Sequence, residues 1–332
     1  MCIPNLFDYA TSELSQDAFL CWLFSWADNK YKDKYADLNN CAKDVIKLFS
    51  NNEIDNIESI EVHKQENNID AFIIVNNQYL LIVEDKTDTG EHGNQLNRYK
   101  DFYSNYCKNN SLELICSYYK SGTFPISEQF EVERKSYIVV NREQMINTLN
   151  HYENIIENNI FNDYLSYLKS ISKSEQKYKN IPIDRWEYTQ KKGFFHDLDK
   201  ELSKRGKYNG SWSYVANPNG GFIGFWWHFR DLTDCCCYLQ FNETTLTIRI
   251  GDVITNQSEI RKRIFTEIMN IADKNEYKGK VRKPDRFGTG NSMAVSIIDK
   301  ELWLAEKDDG LIDLEKTVEK LVKIQSIIDE LE

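Results

Sequence analysis

The sequence predicts two units of different class. Residues 1–175 read as an α/β unit with a mixed central sheet flanked by helices, and residues 176–332 as an α+β unit built on an antiparallel sheet. Three observations carry this. In the first half, β-rich apolar runs alternate with helical stretches, the pattern of a sheet covered on both faces. In the second half, four strand-like runs follow one another through short turns, with helical stretches before and after them. The charge is also uneven: residues 1–175 hold 16 Lys and Arg against 27 Asp and Glu, whereas residues 176–332 hold 25 of each. The polar stretch 170–184, punctuated by Pro182, is the expected boundary.

Each element has a local reason. A helix over 12–27 starts at Thr11 or Ser12, either of which supplies an N-cap oxygen, and its apolar residues follow helical spacing. A second helix is expected over 37–51 and a strand over 58–65. The runs 69–75 and 79–86 flank Asn76, Asn77 and Gln78 and read as a hairpin. Both runs are apolar on both faces, which places the hairpin centrally. A helix over 93–109, strands over 112–118 and 136–141 and a helix over 142–169 complete the unit. The second half predicts helices over 190–205, 257–274 and 313–331, with strands over 211–216, 221–229, 235–242, 245–251 and 292–304.

Composition limits the function classes. Hydrophobic residues at 41% and aromatics at 13% argue against disorder. No apolar run approaches the roughly 18 residues of a membrane span, and no basic-then-apolar leader is present, so a cytoplasmic protein without a membrane partner is expected. The eight Cys include no CxxC pair, which argues against a zinc ribbon and fits reduced thiols. The net charge of −11 opposes a grip on nucleic acid through bulk positive charge, but the excess acid lies wholly in the first half.

Charged residues interrupt the apolar hairpin. Glu84 and Lys86 are two apart, so both leave one face of their strand, while Asp85 faces the other way. A two-residue turn would set Asp70 opposite Val83; a three-residue loop sets it opposite Glu84. One residue of slip exchanges the faces, so the longer loop or a compensating bulge is expected. Two carboxylates side by side in an apolar setting repel each other. A hard divalent cation, Mg²⁺ or Mn²⁺, resolves this by taking oxygens from Asp70, Glu84 and the Asp85 backbone carbonyl. Lys86 beside it would orient or deprotonate the attacking water. The simpler alternative, an ion-pair cluster at a sheet end, needs three charges to balance among apolar strands.

Asp70, thirteen intervening residues, and then Glu84, Asp85 and Lys86 resembles the signature of the PD-(D/E)XK nuclease superfamily, whose motif spans two neighbouring strands of a mixed sheet. Ile69 stands where the Pro of that name would be. Glu13 lies on the opening helix, where the superfamily often places an acidic residue facing the metal. The run from Gln95 to Tyr99 resembles the Q-x-x-x-Y motif of the RecB-like branch, in which the Gln helps hold the active site and the Tyr approaches DNA. Plainer readings stand beside these: Glu13 as a first-turn acid, Gln95 and Tyr99 as helix surface and core. The resemblance covers roughly residues 5–145. It implies a restriction-endonuclease-like α/β core and a metal-dependent nuclease, with DNA favoured over RNA and an association with restriction or antiphage defence.

The second half is expected to supply target binding, a protein or homo-oligomer interface, or a regulatory input. Lys278, Lys280, Arg282, Lys283 and Arg286, interleaved with Tyr277 and Phe287 and followed by Gly288 to Gly290, suit a phosphate backbone. Phe222, Phe225, Trp226, Trp227 and Phe229 are expected in the core of the second sheet rather than stacked on bases. His92 is expected as a solvated loop residue. The competing functional class is a non-catalytic or conditionally silent nucleic-acid-binding or sensor protein on a nuclease fold.

Overall fold

The chain opens with helices α1 (Glu13–Ser25) and α2 (Ala36–Phe49) before entering its first sheet. Strands β1 (Ile60–Lys64), β2 (Ala71–Val75) and β3 (Tyr79–Lys86) follow in antiparallel succession. After α3 (Gln95–Asn110), β4 (Glu113–Lys120) lies parallel to β3, and after α4 (Ile126–Arg134), β5 (Ile138–Asn141) lies parallel to β4. Helices α5 (Arg142–Asn150) and α6 (Asn159–Gln176) come next. The result is a mixed five-stranded sheet of order β1-β2-β3-β4-β5, with β3 in the middle, as a restriction-endonuclease-like core requires. This computed structural model describes residues 4–64, 69–91, 93–217, 220–253 and 256–332. It contains two units, one of Met1–Phe124 with Glu128–Lys173, the other of Pro125–Ser127 with Ser174–Glu332.

The period of two along β3 sorts its side chains into two separate cores. Leu81 and Val83 join Ala71, Ile73 and Val75 under α1 and α2, whereas Leu80 and Ile82 join Phe72 under α3. Each of these buried aliphatic side chains contributes about 1.5–3 kcal/mol relative to exposure. The register decides which face the charged residues take. Val75 pairs with Tyr79 and Ala71 with Val83, so the hairpin closes through the three-residue loop 76–78. Asn76 and Asn77 take left-handed conformations there, at φ 55° and 52°, which Asn tolerates better than most residues. The Asn76 side chain also accepts the backbone N–H groups of Glu58 and Ser59 and donates to the Asn56 carbonyl, tying the loop to the segment before β1.

The second unit carries α7 (Tyr188–Ser203), β6 (Ser211–Val215), β7 (Phe222–Asp231), β8 (Cys236–Asn242) and β9 (Thr245–Gly251). It continues with α8 (Gln257–Lys274), β10 (Val281–Arg282), β11 (Ser292–Ile298), α9 (Lys300–Trp303) and α10 (Leu314–Asp329). Its sheet is antiparallel throughout, in the order β10-β11-β9-β8-β7-β6. Phe225 and Trp227 face the core beneath α7, α8 and α10 and are fully buried, as expected. Phe222 and Trp226 leave the opposite face half-buried, and beyond a bulge between Trp227 and Arg230 the Phe229 ring is 38% exposed, so these three depart from the core expectation. Cys235 and Cys237 supply small core side chains, and all described cysteines are free thiols.

Three elements differ from the sequence expectation. The helix expected over 142–169 breaks between α5 and α6, where Asn154 turns left-handed at φ 64°. Helix α4 was not foreseen, because SEQFEVER offers one buried residue, Val132, and an otherwise polar surface. The strand expected over 292–304 stops at Ile298, and Asp299 in extended conformation starts α9.

Candidate active site

The site forms at the end of β3, on the face turned toward α3. Asp70 stands just ahead of β2, and its Oδ2 accepts the Asp85 backbone N–H at 2.9 Å. The carboxylate thus takes up a strand-edge donor where the β2 ladder has stopped. A strand residue points its N–H and C=O toward the same neighbour, so the Asp85 carbonyl leaves on the Asp70 side. Glu84 is fully buried and Lys86 nearly so. The Lys86 Nζ lies 2.6 Å from Glu84 Oε1, 3.9 Å from Asp70 Oδ2 and 4.0 Å from Glu13 Oε2. Glu13 reaches the group from the first turn of α1, with its Oε1 held by the Thr89 hydroxyl at 2.6 Å. Three carboxylates, from α1, from the residue ahead of β2 and from β3, therefore meet around the Lys86 ammonium.

The electrostatics follow from burial. Desolvation, then the nearby Asp70 charge, pushes the Glu84 carboxyl up to about 8 despite the Lys86 ion pair. Burial also raises Asp70, against the opposing pull of the Asp85 N–H and Lys86. For Lys86, burial opposes the charge, but the Glu84, Asp70 and Glu13 carboxylates outweigh it and raise its pKa. Lys86 is therefore held as a cation.

Gln95 and Tyr99 open α3, one turn apart, and the Gln95 Nε2 donates to the Tyr99 hydroxyl at 2.8 Å. The Tyr99 ring packs in the core under α3. Its hydroxyl is raised by burial first, and then, against the Gln95 hydrogen bond, by the Glu84 and Asp70 carboxylates. The Q-x-x-x-Y pair is thus joined by its own hydrogen bond, with the aromatic ring as packing.

On the opposite face of β3 lies a buried polar network that sequence reading missed. Gln16 donates to Asp85 Oδ1 at 2.5 Å and to the Lys86 carbonyl at 3.1 Å, and it accepts the Tyr164 hydroxyl at 3.1 Å. Tyr164 and Tyr119 share a further bond of 2.8 Å. Asp17 sits beside Asp85. Burial, then Asp70, pushes Asp17 up to about 6, while burial and Asp17 raise Asp85 well above the carboxylate range. Both carboxyl groups are thus biased toward their protonated forms. The available signal was Gln16 and Asp17 interrupting the apolar surface of α1.

The five expected phosphate-binding cations belong to the second unit, between α8 and β11. Lys278 and Arg286 are exposed. Lys280 pairs with Glu301 at 3.7 Å and Arg282 with Asp299 at 3.0 Å. Lys283 lies over the Phe287 ring at 4.7 Å, as does Arg261 at 4.6 Å. Tyr277 is not interleaved among them as a platform: it is buried and donates to the Lys323 carbonyl at 3.0 Å. His92 lies outside the described residues.

Among the described residues, no group of three or more His, Cys, Asp and Glu is arranged to hold a metal ion. A smaller donor set does fit a hard divalent cation. Asp70, Glu84 and the Asp85 carbonyl are all oxygen donors; Glu84 Oε1 rests against the Lys86 ammonium, while the buried Oε2 has no hydrogen-bond partner. An orphaned carboxylate oxygen of this kind is what a cation would satisfy.

A family model of the PD-(D/E)XK nuclease superfamily matches residues 4–169. Comparison with curated proteins finds no match, and comparison with solved structures finds none.

Proposed function

The chain belongs to the PD-(D/E)XK nuclease superfamily, and we propose that it is a divalent-metal-dependent nuclease acting on DNA in preference to RNA. The observation that carries this is the meeting of Glu13, Asp70 and Glu84 around the Lys86 ammonium at the end of the central strand. Three carboxylates against one ammonium leave a local charge of −2 when all are ionised, which a divalent cation offsets.

In this reading Asp70, Glu84 and the Asp85 carbonyl hold Mg²⁺ or Mn²⁺, with Glu13 assisting. When bound, the metal acts as a Lewis acid on a phosphate oxygen and lowers the pKa of water. Lys86 stays protonated, so it orients the attacking water and stabilises charge on the phosphate oxygens instead of acting as the base. Gln95 fixes the Tyr99 hydroxyl beside the carboxylates, and the Tyr99 hydroxyl is the end of that residue available to nucleic acid. The Gln16 amide braces β3 from behind through Asp85 and the Lys86 carbonyl. In the second unit, Lys278 and Arg286 are the cations offered to phosphate, and the other three must first exchange their present partners.

The Lys86 ammonium, 2.6 Å from Glu84 Oε1, already offsets one buried carboxylate without a metal, and this favours a second reading, a binding protein on an inactive nuclease fold. Calorimetric titration with Mn²⁺, paired with cleavage assays on plasmid, single-stranded DNA and RNA, separates the two. The proposal expects metal binding that Glu84→Gln abolishes, and cleavage that requires metal, faster on DNA. Equal Mn²⁺ binding by Glu84→Gln, with no cleavage of any substrate, supports the second reading.

A further inference from the structure

We propose that Lys120 forms a second phosphate-holding position beside Lys86, and that Glu128 occupies it in the free protein. The inference rests on the nuclease reading above and adds a substrate subsite to it. Strands β3 and β4 are parallel and in register, so Lys120 is the direct neighbour of Lys86, as Tyr118 is of Glu84. Partners on adjacent strands lie about 4.8 Å apart and leave the same face. Lys86 and Lys120 therefore stand as a pair at the ends of two central strands.

The surroundings fix this pair in place. The Ser121 N–H donates to the Lys86 carbonyl at 3.1 Å, tying the end of β4 to the end of β3. Gly122 then passes so close to the turn after β3 that a Cβ would lie 1.9 Å from the Thr87 carbonyl oxygen. Buried Arg142 grips the segment after β4, donating to the Ser121 carbonyl at 2.7 Å and to the Thr123 hydroxyl at 2.9 Å.

Lys120 is deeply buried, its side chain only 3% exposed. Its Nζ donates to Glu128 Oε1 at 2.7 Å, and the Tyr118 hydroxyl donates to the same oxygen at 2.9 Å. Glu128, in the first turn of α4, is the more open partner at 22%. A buried lysine bonded to a more accessible carboxylate suits exchange: a phosphate oxygen carries the same charge and accepts the same donors. Nucleic acid whose scissile phosphate meets Lys86 would bring a neighbouring phosphate to Lys120, releasing Glu128 toward solvent.

The test uses full-length protein and a labelled DNA duplex, with Ca²⁺ replacing Mg²⁺ to allow binding without turnover, at several salt concentrations. Lys120→Gln should weaken binding by about tenfold or more and lower the salt slope by about 0.9, the value of one lost phosphate contact. Glu128→Gln removes the competing charge and should tighten binding, and Lys120→Arg should recover the slope. Opposite signs for the Gln variants distinguish exchange from a structural pair, even where both lower the melting temperature. If the wild type binds and cleaves while both Gln variants keep its affinity and slope, this inference alone is overturned. A wild-type protein that neither binds nor cleaves overturns the nuclease reading and this subsite together.

Discussion

The Asp70 carboxylate accepts the backbone N–H of Asp85 at 2.9 Å, on the strand edge that β2 leaves open. One side chain therefore both finishes the hairpin and faces the candidate metal site. Asp70→Asn separates these roles, because an amide oxygen still accepts the N–H but is a poor ligand for a hard cation. Urea unfolding should shift by less than about 1 kcal/mol, while cleavage falls by about a hundredfold or more. A stability loss with cleavage intact would assign Asp70 to the fold alone.

Glu84 predicts a pH dependence with a definite sign. Its folded pKa of about 8 exceeds the ordinary value of 4.5, so between these pH values the native state binds more protons than the unfolded chain. The metal-free protein should lose stability as pH rises from about 4.5 to about 8 and change little from this group beyond that. Glu84→Gln should flatten the decline. Unfolding curves in chelator at pH 5, 6.5 and 8 measure it, and identical slopes for both proteins would contradict the assignment.

The Asp17 and Asp85 pair makes a second such prediction on the other face of β3. Asp17 is raised to about 6 from 3.8, so its ionisation opposes folding as pH climbs through that window. Asp17→Asn supplies a permanent donor without a charge. Its stability advantage over the wild type should widen from about pH 4 to about pH 6 and then level off, reaching at most about 3 kcal/mol. Thermal melts across that range read the difference, and a constant offset would contradict a raised Asp17 carboxyl.

Gly122 is expected to tolerate no side chain. In Gly122→Ala the new Cβ meets the Thr87 backbone, so the ends of β3 and β4 must separate. The change should destabilise the protein by about 1–3 kcal/mol and reduce turnover more than metal affinity, because the donors on β3 keep their positions. Paired measurements of melting temperature and Mn²⁺ binding check this.

The parts of the site readable from sequence were those governed by local periodicity. Asp70, Glu84 and Lys86 stood out because charges are rare in apolar strands, and the period of two placed them on one face once Asn76 to Gln78 formed the loop. The Gln95 to Tyr99 spacing was equally local. What could not be read depends on elements distant in the chain. Lys120 ends its strand and resembles a solvated terminus until α4 brings Glu128 over it. Asp17 looks like an ordinary helix residue until Asp85 is set against it. Helix α4 itself buries too little to produce a period, and the break between α5 and α6 lies in a stretch whose apolar residues continue the helical pattern.

The central claim is that Asp70, Glu84 and Lys86 form one hydrolytic centre, and rates of cleavage of an end-labelled DNA by wild-type protein, Asp70→Asn and Lys86→Ala test it most directly. Each protein is measured with Mg²⁺ and again with excess chelator, after confirming that it is folded. The account predicts cleavage by the wild type in Mg²⁺ alone and a loss of about two orders of magnitude or more in both variants. Cleavage that persists in chelator, or at the wild-type rate in either variant, would contradict it.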